Sequence, residues 1–187
     1  MAHWTYRSIV QGRSMITLKG QHINLRALEI EDVNTLYVLE NEESIWELSH
    51  TITPYSRYIL RQYIENSYKD IFEAKQLRLV IERKNEQFLG LIDLFDFDPK
   101  NHRAGLGILI YKEEDRKKGF AKEAITMLLN YAKEKIQLHQ VYINISSNNV
   151  ASLNLFRNIG FKTIGIKKDW NYDGNAYRHE ILLQYIL

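Results

Sequence analysis

The chain has 187 residues, enough for one domain with a substantial core and too few for two comfortable ones. Its 25 basic and 23 acidic residues leave a net charge of only +2, and the densest basic cluster is Arg116-Lys117-Lys118, too small to support a duplex-binding surface. With no cysteine and six scattered histidines at no ligand spacing, a disulfide scaffold, a cysteine nucleophile and a metal centre drop out as well.

The first fourteen residues, Met1 to Ser14, are aperiodic and lack the continuous apolar core of a secretory signal. They read as a leader, a tag remnant or a disordered extension, with Met15 as the native start and residues 15–187 as a single domain. No run approaches ~18 consecutive apolar residues, so no transmembrane helix or membrane partner is expected, and the default location is the cytoplasm.

Ile23 to Arg26 alternates and reads as a first strand. Glu31-Asp32 then place acid in the first turn of a helix carrying Val33, Leu36, Tyr37 and Leu39. Thr53-Pro54 has the form of an N-cap followed by proline, opening a second helix with Ile59, Tyr63, Ile64 and Ile71 on one stripe. Between the two lies a loop, Asn41 to Thr51, rich in glutamate and carrying Trp46.

Leu77 to Glu82, Phe88 to Phe97 and Ala104 to Tyr111 are strand-like and separated by turn chemistry, so they form an antiparallel meander. Gly105 and Gly107 in the third of these mark either a bulge or small residues beneath a packed aromatic. Ala121, Ala124, Ile125, Leu128, Leu129 and Ala132 then build a strongly amphipathic helix. A strand at Val141 to Ile145 leads to Asn149, which caps a short helix ended by Gly160. Strands near Lys162 to Ile166 and Ile181 to Ile186 close an α/β domain with a mixed sheet, in the order β-α-α-β-β-β-α-β-α-β-β.

The chemistry concentrates where Ile108-Leu109-Ile110 runs through a five-residue loop into Arg116-Lys117-Lys118-Gly119-Phe120-Ala121 and a helix. Gly119 permits a tight turn and Ala121 keeps the helix start free of bulk. Exposed N–H groups and the helix dipole there form an anion site, to which three cationic side chains add charge. A pyrophosphate is the natural ligand. No P-loop run is present, and Gly105-Leu106-Gly107 lacks the third glycine of a dinucleotide fingerprint.

Arg116-x-x-Gly119-x-Ala121 resembles the R/Q-x-x-G-x-G/A signature of the GCN5-related N-acetyltransferases (GNAT). The pattern Asn149-x-x-Ser152-x-x-x-Phe156-x-x-x-Gly160-Phe161 is similar to a late helix in the branch of ribosomal-protein N-terminal and spermidine N-acetyltransferases. Ile23 to Leu28 resembles that branch's opening strand. The resemblance spans about Ile16 to Leu187. It implies a GNAT-like, mostly antiparallel sheet flanked by helices, and transfer of acetyl from acetyl-CoA to a primary amine in a ternary complex. It also implies a site in which Ile108, Leu109 and Ile110 pair with the pantetheine arm. Arg116, Lys117, Lys118, Gly119, Phe120 and Ala121 would hold the pyrophosphate, with Asn149, Ser152 and Phe156 flanking the pantetheine. The glycine-bearing strand fits a family bulge that splays two strands apart. A homodimer is an expectation carried by the resemblance alone.

Two departures bear on the chemistry. Many relatives place a tyrosine at the Phe156 position to protonate the departing thiolate, and many carry a carboxylate on the strand near Gly105. Replacement bases are Asp93 and Asp96, which would point to opposite faces of a regular strand; replacement acids are Tyr172 and Tyr177. Glu42, Glu43 and Trp46, with Glu40 and Glu47, suit a cationic acceptor such as a polyamine or a protein N-terminus. The two departures also motivate an alternative, a non-catalytic module that binds acyl-CoA as a sensor.

Overall fold

The computed structural model describes residues 18–49, 52–67 and 69–187, with the side chains of 47–49 not described. The extension over residues 1–14, the start at Met15 and the end of the acidic stretch at Thr51 lie outside them.

Seven strands form one sheet in the order β1-β2-β3-β4-β5-β7-β6. The strands are β1 (Ile23–Arg26), β2 (Leu77–Arg83), β3 (Phe88–Asp98), β4 (Arg103–Ile110), β5 (Gln140–Ser146), β6 (Lys162–Tyr172) and β7 (Tyr177–Ile186). Every neighbouring pair is antiparallel except β4 and β5. The helices are α1 (Val33–Glu40), α2 (Glu43–Ser49), α3 (Arg57–Glu65), α4 (Ile71–Ala74), α5 (Phe120–Tyr131) and α6 (Val150–Ile159). The mixed α/β architecture agrees with the sequence expectation.

Alternation along the strands builds two cores, one on each face. Leu79, Ile81, Ile92, Leu94, Leu106, Val141, Ile143 and Leu183 pack under α5 and α6 with Ala124, Ile125, Leu128 and Leu153. Val80 and Leu91 point the other way, onto Leu36, Leu39, Leu60 and Ile64 of α1 and α3. Each fully buried aliphatic side chain contributes about 1.5–3 kcal/mol relative to exposure, so the larger cluster is the main stabiliser of the sheet.

Several local readings are corrected. The second helix starts at Arg57 with Ser56 as N-cap, its hydroxyl accepting from the Ile59 N–H at 3.2 Å, so Thr53-Pro54 lies upstream of the cap. Leu60 and Ile64 form its buried stripe, while Ile59 is 48 % exposed. Ile71 belongs to the separate turn α4, whose cap Asp70 accepts from Phe72 and Glu73 N–H. The acidic stretch is not a loop but contains α2. The hairpin β6–β7 extends to Tyr172 and Tyr177, well beyond the apolar runs that marked it.

The bulge lies on β3, not on the glycine-bearing strand. Phe95 pairs with Gly105 and Asp98 with Arg103, leaving two β3 residues opposite one of β4, and Asp96 adopts φ 49°. Gly105 follows the second reading offered for the pair, while Gly107 lies beneath a carboxylate. A Cβ at Gly105 would strike the Phe95 ring, and one at Gly107 would stand 2.6 Å from Asp93 Oδ1.

Candidate active site in the β4–β5 splay

β4 and β5 pair only through Arg103↔Gln140, Ala104↔Val141 and Gly105↔Tyr142. Among the described residues no strand pairs with the β5-facing side of β4 from Leu106 onward, and the two strands open into a V. Because the strands are parallel, both helices that follow them begin at the open end. Gly119 is the N-cap of α5 at φ 88°, a left-handed conformation that glycine adopts without cost, and a Cβ there would meet nothing within 4 Å. Asn149 caps α6 through its Oδ1, which accepts from Ser152 N–H at 3.1 Å. Two helix N-termini and one unpaired strand side thus line a single slot, an arrangement that fits an extended chain ending in an anion.

The basic run is partly structural. Arg116 donates from Nε to the Ile110 carbonyl and from Nη2 to the Tyr111 carbonyl, both at 3.1 Å, so it ties the loop to the end of β4. Lys117 takes φ 60°. Lys118 Nζ lies 3.9 Å from Asp115, whose buried carboxylate pairs with Arg83 at 2.5 Å. Phe120 is half-buried beneath that guanidinium, 5.0 Å from ring centroid to Cζ. Phe156 is 1 % exposed and packs edge-on against Phe161 at 5.0 Å, so it is a core residue and presents no surface to a ligand.

On the α1–α3 face, the space above the two β4 glycines is filled from β3. Asp93 leans over Gly107 and Phe95 over Gly105. Asp93 Oδ2 accepts from Gln76 Nε2 at 3.1 Å and faces Arg78 Nη2 at 3.5 Å, while Arg78 Nη1 reaches Glu40 at 3.0 Å. Tyr63 donates to Gln76 Oε1 at 3.2 Å, and burial raises its phenol above the ordinary value. Glu42 accepts from the Tyr111 hydroxyl at 3.0 Å, a bond that raises the Tyr111 pKa. Trp46 Nε1 donates to the Glu40 carbonyl at 2.8 Å, which locks α2 beside this cluster, whereas Glu43 is exposed in the first turn of α2.

The remaining candidates fall differently. The β3 bulge puts Phe95 and Asp96 on one side and turns Phe97 into the α5 core, so Asp93 and Asp96 do not obey the alternation of a regular strand. Asp96 sits at the closed end of the V beside Tyr142, whose pKa is raised by burial and by that carboxylate. Tyr172 and Tyr177 form a cross-strand pair at the tip of the β6–β7 hairpin, 61 % and 64 % exposed, and the Tyr172 hydroxyl is bound to the Gly174 carbonyl. Tyr177 stands three residues past the last β5–β7 pair, about 10 Å along the strand. They lie beyond the end of β5, at the exposed hairpin tip.

Sequence reasoning missed Gln76, Arg78, Tyr142, Asn144, Lys167 and Glu180. The signal was present in part. Polar residues at 142, 144 and 146 alternate with Val141, Ile143 and Ile145, which marks one polar face of β5. Asn144 Oδ1 accepts from Lys167 Nζ at 2.9 Å, and that ammonium also meets Glu180 Oε2 at 2.7 Å.

The acetyltransferase (GNAT) domain family matches residues 22–162. The spermidine N(1)-acetyltransferase of Vibrio cholerae is 28% identical over 143 residues, covering 76% of this chain and 80% of that protein. The putative ribosomal N-acetyltransferase YdaF of Bacillus subtilis is 28% identical over 183 residues, covering 92% and 96%. A crystal structure of the Vibrio cholerae spermidine N-acetyltransferase with CoA and spermine superposes with a TM-score of 0.79 at 23% identity, over 88% of this chain and 95% of that one, and so shares the fold. With its splayed parallel pair, glycine-capped helix and family match, the chain belongs to the GNAT acetyltransferases and is an acetyl-CoA-dependent N-acetyltransferase.

Proposed function

We propose that residues 15–187 act as one acetyltransferase domain that holds acetyl-CoA in the β4–β5 splay and acetylates a small cationic amine. The observation that carries the cofactor placement is the loss of β5 pairing after Gly105, with Gly119 capping α5 at the open end. In this reading the backbone of Ile108 and Leu109 pairs with the pantetheine arm, and free N–H groups at Gly119 to Ala121 meet the pyrophosphate. Lys117 and Lys118 supply the charge, while Arg116 shapes the loop. The bound thioester supplies the acetyl group and a thiolate leaving group.

The acceptor face favours cations. Glu40, Glu42 and Asp93 set three carboxylates on the face that holds the guanidinium of Arg78. An amine of reference pKa about 10.4 is neutral in only about one molecule in 2,500 at pH 7, so a carboxylate at the point of attack matters. Asp93 is the base of this proposal. Its Oδ2 is held by Gln76 and Arg78, and its Oδ1 lies over Gly107 beside the slot, in the place of a β4 side chain. Relatives named spermidine N(1)-acetyltransferase point the same way, and that of Vibrio cholerae is dodecameric, which motivates a homo-oligomer here.

The test is acceptor-dependent CoA release from acetyl-CoA with spermidine, N-terminal peptides and simple amines. Release with spermidine supports the reading, and release with peptides alone moves the acceptor to a protein N-terminus. Silence from every acceptor, with acetyl-CoA binding confirmed, favours an acyl-CoA sensor. Asp93→Asn should lower kcat about 10²- to 10³-fold while leaving the KM for acetyl-CoA within twofold. An unchanged kcat removes Asp93 from the mechanism.

A further inference from the structure

The β5 side of the splay carries a polar cluster that the proposed cofactor and acceptor contacts leave unused. Asn144 lies two residues beyond Tyr142, the last residue paired to β4, and so stands where the slot has opened. Its side chain shares the α1–α3 face with Tyr142, because Val141, Ile143 and Ile145 fill the opposite core. Lys167 Nζ reaches across from β6 to donate to Asn144 Oδ1 at 2.9 Å. The same ammonium pairs with Glu180 Oε2 at 2.7 Å and stands 5.0 Å from the Trp170 ring. Glu180 is 6 % exposed, and Asn171 Nδ2 satisfies its other oxygen at 3.0 Å.

A half-buried ion pair is a weak device for stability, since partial desolvation opposes its Coulombic gain. This one does have a geometric product, the fixed orientation of one amide. A carboxamide is planar, with oxygen and nitrogen diverging by about 120° from the same carbon. With Oδ1 bound to Lys167 on β6, Nδ2 is left on the side of the carboxamide away from that ammonium, and β4 flanks β5 on the side opposite β7 and β6. Among the described residues Nδ2 has no hydrogen-bond partner. Phe156, buried on Phe161, offers no hydroxyl.

Resting on the acetyl-CoA placement above, we propose that Asn144 is a catalytic residue whose Nδ2 donates a hydrogen bond to the thioester sulfur as it departs, with Lys167 and Glu180 as positioning residues. In the step, the neutral amine forms the N–C bond and the C–S bond breaks with its electron pair kept by sulfur. The amine's proton passes to Asp93. The thiolate leaves against the amide N–H and is protonated from solvent once released, while Asp93 returns its proton to solvent, so the step closes without net acid or base. A donor to a charged acceptor is about twice as strong as one to a neutral acceptor, so this contact favours the departing thiolate over the intact thioester.

The experiment reads two quantities in the full-length protein: kcat with saturating acetyl-CoA and acceptor, and the ultraviolet thiolate titration of CoA bound to the enzyme. Asn144→Leu should lower kcat about ten- to a hundredfold and move the bound thiol's midpoint up by about one pH unit or more. Asn144→Asp, which keeps the shape and adds a repelling charge, should move it further. Lys167→Met should shift both in the same direction by less, by freeing the amide to rotate. A kcat loss without any change in the thiol titration would place Asn144 on the acceptor instead and overturn the proposal. Wild-type kcat in Asn144→Leu would overturn it too. Failure of the wild-type protein to bind CoA would sink the cofactor placement itself, and is separable because it precedes any variant.

Discussion

The two arms of the sheet are built on different terms. In the first, β1 to β4 are covered on both faces, by α5 on one side and by α1 and α3 on the other. In the second, β5 and β7 bury one face under α6, β6 buries none of its residues, and the other face is polar, with Asn144, Lys167 and Glu180 in place of a second core. The contrast separates two ways of making a wall for one slot. The β4 wall is backbone, kept bare by Gly105 and Gly107 so that β3 side chains can lean over it. The β5 wall is side chain, oriented by a charge two strands away.

The largest effect should come from breaking the junction where the β4 wall ends. Gly119→Glu places a carboxylate in open space at the N-terminus of α5, against the proposed pyrophosphate. The left-handed φ costs any L-residue about 1–2 kcal/mol, so Gly119→Ala carries the same strain without the charge. Calorimetric titration should find acetyl-CoA binding weakened more than about 100-fold in the glutamate variant and less than about tenfold in the alanine variant. Equal affinities would show that only the turn matters and would remove the anion assignment.

The difference between the arms also explains what could be read from the sequence. The doubly covered arm announces itself, because the continuous apolar run Leu79 to Ile81 and the 3.6-residue period of Ala121 to Ala132 are set by burial. The loop at Arg116 to Ala121 is legible because its conformation is local, resting on one glycine and one helix start. Yet the role of Arg116 was not, since its donors go to carbonyls that only the folded loop brings near. The outer half of β6 was missed for the opposite reason. Lys167, Lys168, Asp169 and Trp170 lie on an uncovered hairpin, where no apolar pattern is required. The orientation of Asn144 depends on a residue 23 positions later in the chain, beyond the reach of any local pattern. Asp93 was recognised as a candidate, but its rank over Asp96 depended on the β3 bulge, which carries no glycine to mark it.

A middle-sized effect tests what anchors the first arm. Asp32, just before α1, accepts from Arg26 at 2.7 and 3.0 Å and from Glu29 N–H at 2.9 Å, while Arg26 also holds Glu82 at 2.7 Å. Burial opposes the Asp32 charge, but the bonds from Arg26 and Glu29 and the guanidinium's field outweigh it and hold the carboxyl below its ordinary value. Asp32→Asn should therefore cost about 2 kcal/mol at pH 7 in urea denaturation. A depressed carboxylate pKa contributes stability above the unfolded value near 3.9, and that stability is lost as pH falls through the folded value. The gap between wild type and variant should accordingly narrow below about pH 4. A constant gap down to acid would assign the loss to packing and not to charge.

The smallest effects compare one glycine from each arm. Gly105 lies on β4 with the Phe95 ring where its Cβ would go, so Gly105→Ala must displace an aromatic that itself meets Tyr142 edge-on at 6.3 Å. Overpacking of this kind costs about 1–3 kcal/mol. Gly165 lies on β6, where a Cβ would meet nothing within 4 Å and the backbone is not left-handed. Gly165→Ala should be neutral or stabilising by about 0.5 kcal/mol, because it restricts the unfolded chain without meeting a neighbour. Thermal unfolding of the two variants reads the difference directly. Equal losses would mean that the uncovered face of the second arm is occupied in the folded protein, and a gain at Gly165 beside a loss at Gly105 would confirm that the two walls answer to different constraints.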